Sequence, residues 1–339
     1  MSSTIRKIGD SEVSPIGFGA MGIAAFYGAV GSDEERFKVL DAAYDAGCRH
    51  WDTADIYGDS EELLGKWFVR TGKRDDIFLA TKFGVTPTGT NGSPAYVRQA
   101  FEKALKLLGV NHIDLWYLHR PPKDIPIEVT VGAMAELVKE GKVKYIGLSE
   151  CKPNDIRRAH SVHPIAAYQM EYSPLYLDIE QDGTLDLCRE LGIALVAYSP
   201  LARGLVTGQF RSPDDFEEGD GRRSIPKYSK ENFPKILALV DKLKDIGAVH
   251  GATAGQVTLA WILAQGDNII AIPGTKKIKY LHENLGSLKL RLTAEEVATI
   301  RRYVDEVELI GDRDTYQDFT GHETPTLQEY HKQLHAGGK

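Results

Sequence analysis

Four side chains with complementary proton chemistry stand at comparable places in this chain: Asp52, Tyr57, Lys82 and His119. Asp52, Lys82 and His119 each follow directly on a short apolar run, and Ser149, Gln169 and the pair Tyr198-Ser199 end later apolar runs in the same way. One polar residue at such an exit is ordinary helix capping, but lysine does not cap helix N-termini. An Asp, Lys, His series at successive exits therefore asks for another explanation. A tyrosine protonates a carbonyl oxygen well when its pKa falls from about 10 toward the working pH. A nearby ammonium lowers that pKa by stabilising phenolate. A carboxylate orients the ammonium and holds it charged, and a histidine fixes the carbonyl oxygen or shares the proton. Asp52, Tyr57, Lys82 and His119 supply those parts.

Residues at successive exits meet only if the runs they end lie side by side. Apolar runs at 16–20, 48–51, 77–81, 113–118, 144–148, 166–169, 194–198 and 269–272 read as strands. They alternate with helical stretches at 34–46, 61–69, 94–108, 128–139, 153–159, 183–191, 235–250, 255–265, 279–285 and 294–304. Ser32 with Glu35 and Thr293 with Glu296 form capping boxes, and Ser93-Pro94 opens a third helix. Strands that are apolar throughout belong to a parallel sheet covered on both faces. Eight βα units without a linker predict an α/β fold of the (β/α)8 TIM-barrel type, whose chemistry sits at the C-terminal ends of the strands. Gly9-Asp10 between two short extended segments predicts a β-hairpin ahead of the first strand. Residues 200–233 and the tail from about 307 lack periodicity, and long structureless stretches are functional or disordered.

Composition narrows the function classes. The chain has 339 residues, so a length prior allows two domains, yet barrels of this size are commonly single, and one domain over 1–339 is expected. A net charge of −7 argues against a uniformly basic nucleic-acid surface. No apolar run reaches the ~18–20 residues of a membrane span, and the first residues lack the apolar core of a secretory signal. Three widely spaced cysteines, Cys48, Cys151 and Cys188, without a CxxC support neither a disulfide framework nor a metal site. A reduced, cytoplasmic enzyme acting on a small molecule is the expectation. Oligomeric state has no signature in the sequence.

Around the four side chains the wording is DTADIYGDSEELLGKW, TKFG, LWYLHR, IGLSE, YQMEYSPL, AYSPLARGLVTG and IPGTKK followed by LHEN. In this order the motifs resemble the aldo-keto reductase family over about residues 15 to 290, most closely its fungal, bacterial and plant members of the auxin-induced and alkaloid-reductase kind. The resemblance implies reversible NADPH-dependent reduction of an aldehyde or ketone, with Tyr57 as general acid beside Lys82, Asp52 and His119. It implies that Thr275 and Lys276 meet the adenosine 2′-phosphate and that Glu283 and Asn284 hold the adenine. Tyr280 stands where many members carry arginine. Tyr198 matches the ring that stacks on nicotinamide, while Ser149 and Gln169 match the groups that bond its carboxamide. Glu150 stands where many relatives have asparagine. Leu201, Arg203 and Gly204 match the loop passing the pyrophosphate, next to Ser199 and Pro200, and Pro273 and Gly274 lead into the phosphate turn.

Independently of the resemblance, the turn after residue 272 offers free backbone N–H groups to an anion, and its lysine pair suits additional phosphate charge. Gly17 to Gly22 formally matches GxGxxG. A Rossmann fingerprint needs a helix from about Gly22 and an acid ending the second strand. Residues 23–32 do not read as a helix and Asp41 falls inside one, so the motif reads as a barrel-rim turn with Ala20 and Met21 near the nicotinamide ribose. Met21, Phe26, Tyr27, Tyr57, Phe83, His119 and Arg120 are the candidate walls of a pocket for apolar carbonyl compounds, with Tyr316 and Phe319 from the tail. Two other functions fit parts of the pattern: a nicotinamide-binding regulatory subunit of the channel-β type, and a Rossmann dehydrogenase with Asp52 on the ribose.

Overall fold

The structure is a computed structural model that describes residues 5–313 and 321–336. The chain opens with an antiparallel hairpin, Arg6–Ile8 against Ser11–Val13. Eight parallel strands follow: β1 Phe18–Gly19, β2 His50–Asp52, β3 Phe78–Phe83, β4 Ile113–Leu118, β5 Val143–Ser149, β6 Ile165–Glu171, β7 Ala194–Tyr198 and β8 Ile269–Ala271. Each pairs with the next in chain order. The ring closes just before β1, where Ile16 bridges Ala271 in parallel. There the Gly17 N–H donates to the Ala271 carbonyl at 2.8 Å and the Ala271 N–H to the Pro15 carbonyl at 2.9 Å. This is the expected (β/α)8 barrel.

Strand alternation sorts the core into two layers. Ala80, Leu115, Tyr117, Ala167, Val196 and Ile270 fill the barrel with Ile8 and Val13 of the hairpin, which plugs its N-terminal end. Trp51, Leu79, Phe83, Trp116, Leu118 and Tyr168 face outward into the helix layer. β3 is longer than the sequence indicates. It runs through Lys82 to Phe83, so Lys82 lies within the strand, and Asp52 likewise is the last residue of β2 rather than the residue after it. The three predicted N-caps form as read: Ser32 with Glu35, Ser93 ahead of Pro94, and Thr293 with Glu296.

The stretch 200–233 is ordered. It is a chain of short 3-10 segments (Ala202–Thr207, broken by a kink at Arg203 and Gly204, then Pro213–Asp215, Gly221–Ser224 and Pro226–Tyr228) that buries Leu205, Val206, Phe216, Ile225 and Tyr228. Segments this short or broken do not sustain a hydrophobic period, which is why no periodicity marks them. The tail also docks: the Thr324 hydroxyl donates to Asp155 Oδ1 at 2.9 Å and its N–H to Oδ2 at 3.0 Å, ahead of the helix Leu327–Ala336. Tyr316 and Phe319 lie outside the described residues. No single helix among the described residues is long and apolar enough to cross a membrane.

The helices Ser60–Thr71 and Pro94–Leu108 touch through Gly65. A Cβ there would press on the Leu107 carbonyl and lie 2.9 Å from that of Leu108. Backbone cannot yield as a side-chain tip can, so Gly65→Ala is expected to destabilise by about 1–3 kcal/mol through overpacking, although alanine is the better helix former by about 1 kcal/mol. Urea unfolding checks this, and a stabilised variant refutes the close packing.

Candidate active site

Asp52 and Lys82 face the barrel interior from neighbouring strands, and the lysine side chain is 0 % exposed. Its ammonium donates to Asp52 Oδ1 in a short contact and to the Thr53 carbonyl at 2.7 Å. The second carboxylate oxygen accepts from Gln169 Nε2, on β6 across the barrel, at 2.8 Å. Tyr57 sits above them on the loop after β2. That loop is fixed by the Asp55 N–H on the Lys82 carbonyl at 3.1 Å, the Tyr57 N–H on the Ala54 carbonyl at 3.1 Å, and the hydroxyl pair Thr53–Ser60 at 2.5 Å. The ammonium of Lys82 lies 5.0 Å from the centre of the Tyr57 ring. His119 follows β4 and meets Tyr57 edge to face at 5.7 Å and 88°. Phe26 meets the same tyrosine at 6.3 Å and 90°.

The electrostatics differ in one respect from the sequence expectation. Burial raises the Tyr57 phenol above its ordinary value, and the opposing pull of Lys82 does not reverse this. The physical cause is that a phenolate buried here would lose its water, a cost that outweighs the pull of the ammonium, and the Asp52 carboxylate adds to it. Tyr57 therefore holds its proton at neutral pH. Burial, reinforced by Arg120 and Lys82, drives His119 well below its usual range. Its imidazole is neutral, and its Nδ1 has no hydrogen-bond partner among the described residues.

The other predicted residues fall into three groups. Ser149, Gln169, Tyr198 and Arg120 gather around the four: the Arg120 Nη1 donates to the His119 carbonyl at 2.7 Å and to Ser149 Oγ at 3.4 Å. Tyr198 donates to Glu150 Oε1 at 2.7 Å. Ala20 is buried and its N–H donates to the Asp52 carbonyl at 2.8 Å, and Met21 begins a single helical turn, Met21–Ala24. With Gly17 in the barrel seam, the GxGxxG segment is a rim turn, and the Rossmann reading fails.

A second group forms a rim running from Ser199 and Pro200 through Leu201, Arg203 and Gly204 to the turn Pro273, Gly274, Thr275 and Lys276. Arg203 takes a left-handed backbone (φ 55°) and pairs with Glu171 at 3.2 Å. A Cβ on Gly274 would lie 2.6 Å from the Gly19 carbonyl, so only glycine lets this turn close on β1. The N–H groups of Gly274, Thr275 and Lys276 have no acceptor among the described residues. Beyond them Asn284 is buried, Glu283 accepts from the Thr253 hydroxyl at 2.8 Å, and the Tyr280 ring has the Lys277 and Lys279 ammonium groups at 5.7 and 5.8 Å. The Lys276 ammonium binds the carbonyls of Tyr27 and Ala29, which ties this turn to the loop carrying Phe26 and Tyr27.

The third group is Phe83 alone. It stacks on Trp116 at 4.9 Å in the outer layer and is fully buried, so it lines no pocket. It follows Lys82 directly, and neighbours on a strand face opposite sides. Sequence reading missed Glu171, Arg222 and Arg313. Glu171 lies inside a quoted motif without a role. Arg222 donates to the Arg203 carbonyl at 2.9 Å and covers the ring of Phe210 at 4.5 Å. Arg313 grips Glu150. The only signal for the two arginines was basic residues in aperiodic stretches.

The sequence profile of the Aldo/keto reductase family matches residues 15–305. The chain belongs to the aldo/keto reductase family, a family of oxidoreductases that reduce carbonyls. It is 64% identical over 315 residues to the aldo-keto reductase str7 of Strobilurus tenacellus, covering 91% of this chain and 94% of that protein. It is 50% identical over 323 residues to the aldo-keto reductase yakc [NADP(+)] of Schizosaccharomyces pombe, covering 92% and 95%. Among solved structures it is similar to the glycerol dehydrogenase AKR11B4 of Gluconobacter oxydans, with a TM-score of 0.83 at 28% identity over 91% of this chain and 97% of that one.

One carboxyl beside this site is held far from its ordinary range. Asp55 is pushed up to about 7, chiefly by burial and next by Glu61, against the pull of Lys103 and Lys82. Its Oδ1 has no hydrogen-bond partner among the described residues. The folded chain thus keeps a proton that the unfolded chain loses near pH 4. Stability from the protonated form is complete below about pH 4 and is lost as pH rises through 7. Asp55→Asn removes the ionisation. Its stability relative to the native chain should be about 2–3 kcal/mol higher at pH 8 than at pH 5, by urea unfolding at each pH. Comparing the two pH values cancels any constant cost of the amide, and equal differences refute the assignment.

Proposed function

We propose that the chain is an NADPH-dependent carbonyl reductase that converts an aldehyde or ketone to the alcohol, with Tyr57 as proton donor. The observation carrying this reading is the buried Asp52–Lys82 pair beneath the edge-to-face Tyr57–His119 pair. A bound nicotinamide supplies the hydride. The remaining work falls to the chain's own residues. The neutral His119 and the Tyr57 hydroxyl orient the substrate oxygen, and Tyr57 gives up its proton as charge develops there. The fixed ammonium of Lys82 stabilises the phenolate left behind, an electrostatic contribution that needs no reorganisation because Asp52, Thr53 and Gln169 already hold the group in place. Phe26, edge to face on Tyr57, and its neighbour Tyr27 offer an aromatic wall on the substrate side.

Cofactor choice rests on the phosphate turn. Three successive N–H groups without an acceptor among the described residues, beside Lys276 and Lys277, suit a dinucleotide with an extra phosphate, and the NADP(+) in the name of the Schizosaccharomyces pombe relative supports the same choice. Ser149 and Gln169 suit the carboxamide, and Tyr198 the nicotinamide face.

Tyr57→Phe keeps the ring and loses only the donor. Carbonyl reduction should fall by at least ~10²–10⁴-fold, while NADPH binding followed by fluorescence quenching stays intact; near-native turnover of para-nitrobenzaldehyde rejects the tyrosine.

Lys276→Ala distinguishes two roles. A charge-assisted bond to the 2′-phosphate is worth about ten- to hundred-fold in NADPH affinity and nothing in NADH affinity. Selective loss of NADPH is expected, which requires the ammonium to leave the Tyr27 and Ala29 carbonyls when cofactor binds. Equal loss of both cofactors would instead make Lys276 the pin of the Tyr27 loop.

A further inference from the structure

At the mouth of the site three cations are each held by a carboxylate of their own. Lys82 pairs with Asp52, and Arg203 with Glu171 at 3.2 Å. Arg313 grips Glu150 through both nitrogens, Nη1 lying 3.0 Å from Oε1 and Nη2 in a short contact with Oε2. All three pairs are buried, with no side chain more than 15% exposed. Arg120 sits among them, next in the chain to His119, and no carboxylate of the described residues lies within ion-pairing distance of it. Among the described residues only its Nη1 finds acceptors, the His119 carbonyl and Ser149 Oγ. Its Nε and Nη2, the planar edge that suits a carboxylate, meet no acceptor among the described residues.

Glu150 is the carboxylate that acts on Arg120 through space. Its oxygens, however, are taken by Arg313 and by the Tyr198 hydroxyl at 2.7 Å. Its backbone is left-handed (φ 59°), an uncommon conformation for a long side chain, so this placement is imposed by its surroundings. Glu150 thus favours the Arg120 charge from a distance but does not meet its Nε–Nη2 edge. A ligand carboxylate would supply the close, two-pronged contact that this guanidinium lacks among the described residues.

We propose that Arg120 is the carboxylate-binding residue of this site and that the preferred substrates are carbonyl compounds bearing a carboxylate, that is, oxo acids. The proposal rests on the carbonyl-reductase reading above. Arg313 is its positioning partner: by occupying Glu150 it leaves the outer edge of Arg120 to the substrate.

The test compares kcat/KM for acids and their methyl esters with NADPH: para-carboxybenzaldehyde against methyl para-formylbenzoate, and succinic semialdehyde against its methyl ester. The native chain should prefer the acids by about ten- to hundred-fold, the size of one charge-assisted contact. Arg120→Gln should bring the acid-to-ester ratio to about one, and Arg120→Lys should restore part of it. Arg313→Gln releases Glu150 toward Arg120 and should also lower the ratio, although Arg313 touches no substrate. A native ratio of one or below overturns the proposal without any variant, as does an unchanged ratio in Arg120→Gln. Turnover without acid preference sinks this inference alone, whereas no turnover of any aldehyde sinks the reductase reading beneath it.

Discussion

The ion pair between Asp52 and Lys82 is the constraint around which the upper barrel is arranged. Taking two charges out of water is expensive, and their attraction repays the cost only when the remaining hydrogen-bond capacity is met. Here the Thr53 carbonyl takes a second proton of the ammonium and Gln169 takes the second carboxylate oxygen. Those partners come from β2, the segment after it, β3 and β6, so the pair is satisfied only when the barrel is closed. Losing one partner would strand a buried charge at a cost of about 3–5 kcal/mol. The arrangement makes the site rigid and fixes how much of the lysine's charge reaches Tyr57. The phenol keeps its proton because its burial outweighs the pull of that ammonium.

Closure in turn depends on a tight seam. The bridge Ile16–Ala271 and the contact of Gly19 with Gly274 draw the first and last strands together, and a Cβ on either glycine would collide with backbone at 2.7 or 2.6 Å. The same approach brings the turn 273–277 beside the loop carrying Phe26 and Tyr27. Lys276 ties those two segments through carbonyls, and Arg222 adds the stretch after β7 by covering Phe210 at 4.5 Å and Tyr27 at 5.2 Å. The turn 273–277, the loop of Phe26 and Tyr27 and the stretch after β7 therefore form one continuous rim around the buried pair.

Much of this was legible beforehand. Eight apolar runs alternating with capped helices specify a parallel barrel, and its exits name Asp52, Lys82 and His119 without further information. Strand ends were less legible. β3 continues through Lys82 because a lysine paired inside a barrel behaves as a core residue, which hydropathy does not record. Phe83 was misplaced for the same reason: the residue after a functional one on a strand points to the other layer. The stretch 200–233 gave no signal because its 3-10 segments are too short or too kinked to sustain a hydrophobic repeat.

The sequence alone determined the layers, the order of the strands and the inventory of titratable groups at their ends, because these follow from local periodicity and from residue type. Tertiary structure alone decided which charges meet. The partners Asp52 and Gln169, Glu150 and Arg313, Glu171 and Arg203 stand 117, 163 and 32 residues apart. Pairing at such separations leaves no mark on local pattern, since it is set by barrel register and by where the chain after β7 and the tail come to rest. Burial, which raises Tyr57 and holds His119 neutral, is likewise a property of the assembled barrel, because it depends on how much water the surrounding layers exclude.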